Sequence, residues 1–229
     1  MSEKKHILIT GTSSGIGAAL LEYLNAQVEV EKIWAFSREK NPKLYSKVTY
    51  FSVDFLAPDF SEQVKNCFTK IEYLDGLIHN AGFLLHQNFE QTTTENWQKI
   101  FQINFFAAME INRLAIPMLK KAKKSSVIHL SSMGGVLGSV KFPGLCAYSA
   151  SKAALANATE VLAAEYAETN IYFNALALGA VQTEMLKTAF PNYQAPFSAQ
   201  EMANFIGDFV LKHSFFFKGK ILPVSISTP

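Results

Sequence analysis

The chain has 229 residues, is 49% hydrophobic and carries a formal net charge of +2, which allows a sizeable core and argues against nucleic acid or an anionic membrane surface as partner. Its two cysteines, Cys67 and Cys146, lie far apart without metal-ligand neighbours, which argues against a disulfide scaffold or a zinc site and for a reducing compartment. No apolar run is long enough to span a bilayer and the first residues show no signal-peptide core, so a soluble cytoplasmic protein is expected.

In chain order, hydrophobic periodicity predicts a strand over 7–10, a helix over 15–25, strands over 33–36 and 48–53, and a helix over 60–71. A short strand over 76–79 precedes a long helix over 95–121, for which Thr92 and Glu95 supply a capping box and Pro117 a bend in the last turns. Its end, with Lys120, Lys121, Lys123 and Lys124, reads as a solvated cationic helix terminus. A strand over 127–130, a Gly-rich loop, a helix over 148–167 and a strand over 172–177 follow. A less regular stretch leads to a helix near 198–212 and a last strand near 221–224. Strands alternating with helices imply βαβ units. With no linker, repeat or low-complexity tract, the expectation is one doubly wound α/β domain over 1–229, a parallel sheet with helices on both faces.

The first strand runs into Gly11, Thr12, Ser13, Ser14, Gly15, Ile16 and Gly17, and these into the first helix. The glycines permit a tight turn and close backbone approach. The helix start offers free N–H groups and the positive dipole end, and the three hydroxyls add donors, which together suit a pyrophosphate. The spacing is G-x3-G-x-G rather than G-x-G-x-x-G. Ligands of such sheets sit beyond the carboxyl ends of the strands. Polar groups stand at those ends: Ser37 and Arg38, Asp54, Asn80-Ala81-Gly82, Ser131 and Ser132, and the stretch 179–183 with Val181 and Thr183.

Tyr148 and Lys152 are four residues apart at the start of a helix, hence on one face. A free phenol, with a pKa of about 10, is a poor base at neutral pH, and a neighbouring cation lowers that value. Ser131 and Ser132 supply hydroxyls for a substrate oxygen.

Taken in order, Thr10-Gly-x3-Gly-Ile-Gly17, Asn80-Ala-Gly82, Asn104, Ser132, Tyr148-x3-Lys152 and Thr183 resemble the landmarks of the short-chain dehydrogenase/reductase family, over roughly residues 6–185. The resemblance implies a Rossmann-type sheet of seven parallel strands with three helices on each face. It also implies Tyr148 as general acid in reduction and base in oxidation. Lys152 would hold the nicotinamide ribose and depress the Tyr148 pKa, and Ser132 would polarise the substrate carbonyl. Asn104 would position a water that relays protons to Lys152. Asn80 and its neighbours would pack on the cofactor, and Asp54 would meet the adenine.

Four positions depart from the family pattern. His79 stands where an asparagine is usual, and Leu178-Gly179 replaces Pro-Gly. The interval from Ser132 to Tyr148 is about three residues longer than usual, with Lys141-Phe-Pro143 as a bulge near the substrate mouth. The ending Ser225-Ile-Ser-Thr-Pro229 lacks an acidic Gly-Gly segment, which bears on the family's tetramer contacts.

Ser37 and Arg38 follow the second strand where an acidic residue would select NAD, and a guanidinium pairs well with a 2′-phosphate. NADP(H) is therefore favoured, with NAD(H) as the alternative should Glu39 turn inward. Phe83, Leu84, Leu85, Val136, Leu137, Phe142, Met185, Leu186 and Phe190 are candidate pocket residues for an apolar carbonyl or alcohol, while His86 reads as a solvated loop residue. The helices over 95–121 and 148–167 carry Phe105, Phe106, Met109, Leu155, Val161 and Leu162. In the family these helices form a four-helix interface, so a homodimer or homotetramer is expected. The rival to an NADP-dependent oxidoreductase is a nucleotide-sensing protein without turnover, against which the set Asn104, Ser132, Tyr148 and Lys152 argues.

Overall fold

The computed structural model describes residues 4–39 and 43–226; residues 227–229 of the chain's ending lie outside the described residues. Its strands are β1 (Lys5–Thr10), β2 (Val30–Ser37), β3 (Val48–Ser52), β4 (Gly76–His79), β5 (Ser125–Ser132), β6 (Ile171–Leu178), β7 (Val181–Gln182), β8 (Phe197–Ser198) and β9 (Lys220–Val224). Its helices are α1 (Gly15–Ala26), α2 (Phe60–Phe68), α3 (Thr94–Phe101), α4 (Ala107–Lys121), α5 (Cys146–Glu165), α6 (Glu184–Ala189) and α7 (Ala199–Asp208).

Seven strands form one parallel sheet in the order β3-β2-β1-β4-β5-β6-β9, and β7 pairs separately with β8. Near-continuous apolar runs make this arrangement stable, because both faces of the sheet are covered. Ile7, Ile9, Ile33, Ile78 and Ile128 pack under α1 and α7. Leu8, Phe36, Leu77, Val127 and Phe173 pack under α2, α4 and α5. The order reverses between β1 and β4, so the carboxyl ends of these strands open a crevice there. This is the expected doubly wound Rossmann-type fold.

Several details differ from the sequence expectation. Among the described residues no helix links β2 to β3, so the α1/α7 face carries two main helices rather than three; Tyr45 and Tyr50 lean on that core instead. The long helix over 95–121 is divided by a π turn at Gln102–Phe106. Its cap is Thr93, whose Oγ1 accepts the Asn96 N–H at 3.3 Å, while the Thr92 hydroxyl donates to the Asn88 carbonyl. The irregularity thus precedes Pro117, which sits within α4. Helix α5 starts two residues before Tyr148. The capping box falls instead at Ser198 and Glu201, opening α7. No helix among the described residues is long and apolar enough to cross a membrane.

Behind the sheet ends runs a buried polar chain. His79 Nε2 lies 2.8 Å from Asn112 Oδ1, Asn112 Nδ2 is 2.9 Å from His129 Nε2, and His129 Nδ1 is 2.8 Å from Thr159 Oγ1. The pattern makes His129 neutral, with its proton on Nδ1, and has His79 Nε2 donate to Asn112 Oδ1. Burial pushes His79 down to about 4 and His129 well below the usual histidine value, with the Lys152 cation adding to both. The unfolded chain then binds more protons than the folded one below about pH 6.5, so stability is full above that pH and falls as pH drops towards 4. His79 alone should remove about 2 kcal/mol between pH 7 and 5. Urea unfolding at the two pH values checks this: a His79→Asn variant should lose about that much less, and an equal loss would contradict it.

Candidate active site

The turn between β1 and α1 is closed by contacts that leave no room for side chains. A Cβ on Gly11, whose φ is +72°, would lie 2.6 Å from Ala81 Cα, and one on Gly17 would lie 2.1 Å from the Gly11 carbonyl oxygen. Asn80 Nδ2 donates to the carbonyls of Thr10 at 3.0 Å and Gly11 at 2.7 Å, and Thr10 Oγ1 accepts the Ala81 N–H at 3.1 Å. The Asn80-Ala81-Gly82 segment is thereby stitched to the glycine turn. At the start of α1, Ser14 makes no side-chain cap and the first turn holds no acidic residue. Its N–H groups and positive dipole end remain available to an anion.

A cavity of about 590 Å³ runs across this crevice. It is lined by Gly11, Ser13, Ser14, Gly15, Ile16, Ser37, Arg38, Asp54, Asn80, Ala81, Gly82, Ser132, Tyr148, Lys152, Val181 and Thr183, so most of the expected residues converge. Three do not line it. Thr12 is fully buried, with its hydroxyl unpartnered, and Gly17 packs against Gly11 and Asn80. Asn104 sits buried in the π turn. Its Oδ1 accepts the Phe83 N–H at 2.7 Å, and its Nδ2 donates to the Phe83 carbonyl and to Ser151 Oγ, each at 3.0 Å. Both amide protons are thus taken up by the protein, and Asn104 holds the loop that follows Gly82.

At the other end of the cavity lie Tyr148 and Ser132, and Ser132 Oγ accepts the Gly134 N–H at 3.1 Å. Ser131 turns away, its hydroxyl donating to the Lys152 carbonyl at 2.8 Å, so only one of the two serines serves the cavity with its hydroxyl. Lys152 is buried with Nζ donating to the Leu130 carbonyl at 2.7 Å, and burial pushes its ammonium down to about 8. Burial likewise raises the Tyr148 phenol above its ordinary value, with the Ser132 hydroxyl opposing. Burial disfavours both charged forms, so the phenol rises beside the cation rather than falling as the spacing alone suggests.

Of the candidate pocket residues, Phe83, Leu84, Phe142, Met185, Leu186 and Phe190 line the cavity, and Leu85 lines a smaller one beside it. Val136 and Leu137 line neither, and Leu137 is 94% exposed at a loop tip. Sequence reasoning missed Phe55, Leu56, Lys99 and Ile103, which line the cavity with Asp54. The position of Phe55 and Leu56 just after a strand end was the available signal. Lys99 and Ile103 carried none, being helix residues brought in by packing.

The residues present fit a dinucleotide: a side-chain-free turn at an open helix N-terminus, and a cleft leading from it in a volume typical of small-molecule sites. The family model described as short chain dehydrogenase matches residues 5–194. The chain is 32% identical over 183 residues to a 3-oxoacyl-[acyl-carrier-protein] reductase of Rickettsia typhi, covering 79% of this chain and 74% of that one. In fold it is similar to a short chain dehydrogenase of Escherichia coli complexed with NADPH, with a TM-score of 0.83, 24% identity and 96% of each chain covered. It is similar to a 4-hydroxyisoleucine dehydrogenase complexed with NADH, with a TM-score of 0.84, 22% identity and 97% of each chain covered.

Proposed function

Because this chain belongs to the short-chain dehydrogenase/reductase family of oxidoreductases, we propose that it is an NADP-dependent reductase of uncharged, apolar carbonyl compounds, and in reverse an alcohol dehydrogenase. The observation that carries this reading is the Ser132–Tyr148 hydroxyl pair in the cavity that also contains the glycine turn. The cofactor, when bound, supplies a hydride to the carbonyl carbon or takes one back. The glycine turn with Ser13 and Ser14 would hold its pyrophosphate, Asp54 its adenine, and Lys152, Asn80, Ala81, Gly82, Val181 and Thr183 its nicotinamide half. Ser132 and Tyr148 would both bond the substrate oxygen, and Tyr148 would give it a proton as negative charge develops there. A phenol kept protonated by burial suits donation at neutral pH, hence reduction. Loss of reduced-nicotinamide absorbance with simple ketones and aldehydes tests the reading; tight cofactor binding with no turnover on any of them would overturn it.

The NADP preference rests on Arg38. It is exposed at the cavity rim, while the Ser37 hydroxyl donates to the Glu39 carbonyl and Ser52 Oγ donates to the Arg38 carbonyl at 3.1 Å, shaping the turn. Arg38→Ala should weaken NADPH binding about tenfold or more, equivalent to roughly 1.5–3 kcal/mol, and hardly move NADH. Titrations at fixed ionic strength check this, and equal losses for both cofactors would contradict it.

The assembly that fits best is a homodimer through α4, α5 and the π turn. Leu155 is core, but Phe106 and Val161 are about half exposed on these elements. Light scattering at micromolar concentration should report a dimer or larger; a monomer would contradict the assignment.

A further inference from the structure

The segment between β5 and α5 is held by one ammonium group. Lys141 Nζ donates to the Gly134 carbonyl at 2.9 Å, to Ser139 Oγ at 2.8 Å and to the Val136 carbonyl. Those three bonds use all the N–H donors that a lysine has. The Ser139 hydroxyl lies against the carbonyls of Met133 and Val136, so the loop folds back on itself just beyond Ser132. The next residue, Phe142, consequently turns into the cavity.

There Phe142 meets two other segments. Its ring stands edge-on to Phe190 of the α6 end, with centroids 6.1 Å apart, and Phe190 lies 5.2 Å from the His86 ring of the loop after Gly82. His86 Nε2 is 3.1 Å from the Pro143 carbonyl, and the Gln87 N–H donates to the Gly144 carbonyl at 2.9 Å. Gly144 has φ +81°, and a Cβ there would lie 2.7 Å from the His86 ring, so this contact tolerates no side chain. Three segments therefore close on one aromatic wall beside Tyr148.

We propose that Lys141 is a positioning residue for substrate selection: by tying the loop to the Gly134 and Val136 carbonyls it sets Phe142 against Phe190, and this wall selects uncharged carbonyl compounds bearing a ring. The inference rests on the reductase reading above for the place of the carbonyl. An edge-on aromatic pair gains from a third ring as well as from buried area, and a flexible chain gains only the area. With its donors spent on the loop, Lys141 is not free to recruit an anionic substrate.

The ratio of kcat/KM for acetophenone to that for acetone is the readout, since a general structural fault lowers both terms alike. It should fall about tenfold in Lys141→Met and in Phe142→Ala, the order of one favourable aromatic contact. Lys141→Arg should restore it to within twofold, and the double variant should fall no further than Phe142→Ala, because the two act through one contact. An unchanged ratio, or additive losses, would overturn the proposal. Benzamide, which is not reduced, gives an arm independent of turnover: its dissociation constant by NMR titration should rise about tenfold in both single variants. Failure of Tyr148 to act as the acid would leave that binding shift in place. Absence of benzamide binding to the unmodified protein, or an unchanged constant in Lys141→Met, would overturn the selection itself.

Discussion

Tyr148→Phe is expected to lower the reduction rate by about 10²–10⁴-fold, the range that a positioned general acid contributes, while cofactor affinity stays within about twofold. The phenol and the Ser132 hydroxyl line the same cavity, and the phenol is the group assigned to give the proton. Ser132 would still hold the substrate oxygen, so the loss should appear in kcat more than in KM. The variant should fold as stably as the parent, because a buried hydroxyl is exchanged for hydrogen on a ring that remains in place. Stopped-flow reduction and cofactor titration on the same preparation read both quantities. Turnover within tenfold of the parent would remove Tyr148 from the acid role.

Lys152→Met is expected to separate stability from activity. Burial holds the ammonium at about 8 against 10.5 when free, so the folded protein carries a charge at neutral pH that it would shed more readily than the unfolded chain. The sign follows: the penalty is full below about pH 8, where both states are protonated, and vanishes above about 10.5. Its size is about 3 kcal/mol, less about 1 for the bond to the Leu130 carbonyl, leaving a gain of about 2 kcal/mol for methionine at pH 7. Catalysis should move the other way. Loss of the cation should weaken cofactor binding and lower turnover by about 10²-fold or more, the scale of a positioned charged group in a dry site. Thermal melts across pH 7–11 beside cofactor titrations check both halves. A variant less stable at pH 7, or one that binds cofactor normally, would contradict this account of Lys152.

Much of this was legible in sequence because the informative residues sit at strand ends. The glycines at 11, 15 and 17, the run from Asn80 to Gly82, and the four-residue step from Tyr148 to Lys152 follow from local geometry, and the fold brings them together as expected. What was not legible depends on packing between distant segments. The π turn that buries Asn104 leaves no mark that separates it from an ordinary helix, so the amide's engagement with Phe83 and Ser151 could not be foreseen. Thr12 reads as a third hydroxyl donor beside Ser13 and Ser14, yet the turn buries it. His79, which stands where an asparagine is usual, joins a buried chain with Asn112 and His129, partners 33 and 50 residues away. The Tyr148 phenol follows the same rule: spacing shows the cation four residues away, but not the burial that raises the phenol.

The most direct test of the central claim is isotopic. NADPH carrying two deuterium atoms at the nicotinamide C4 position, incubated with the protein and an uncharged apolar ketone, should give an alcohol carrying one deuterium on the former carbonyl carbon, and Tyr148→Phe should form it far more slowly. An alcohol without deuterium, or bound cofactor and no alcohol with any carbonyl compound offered, would contradict it.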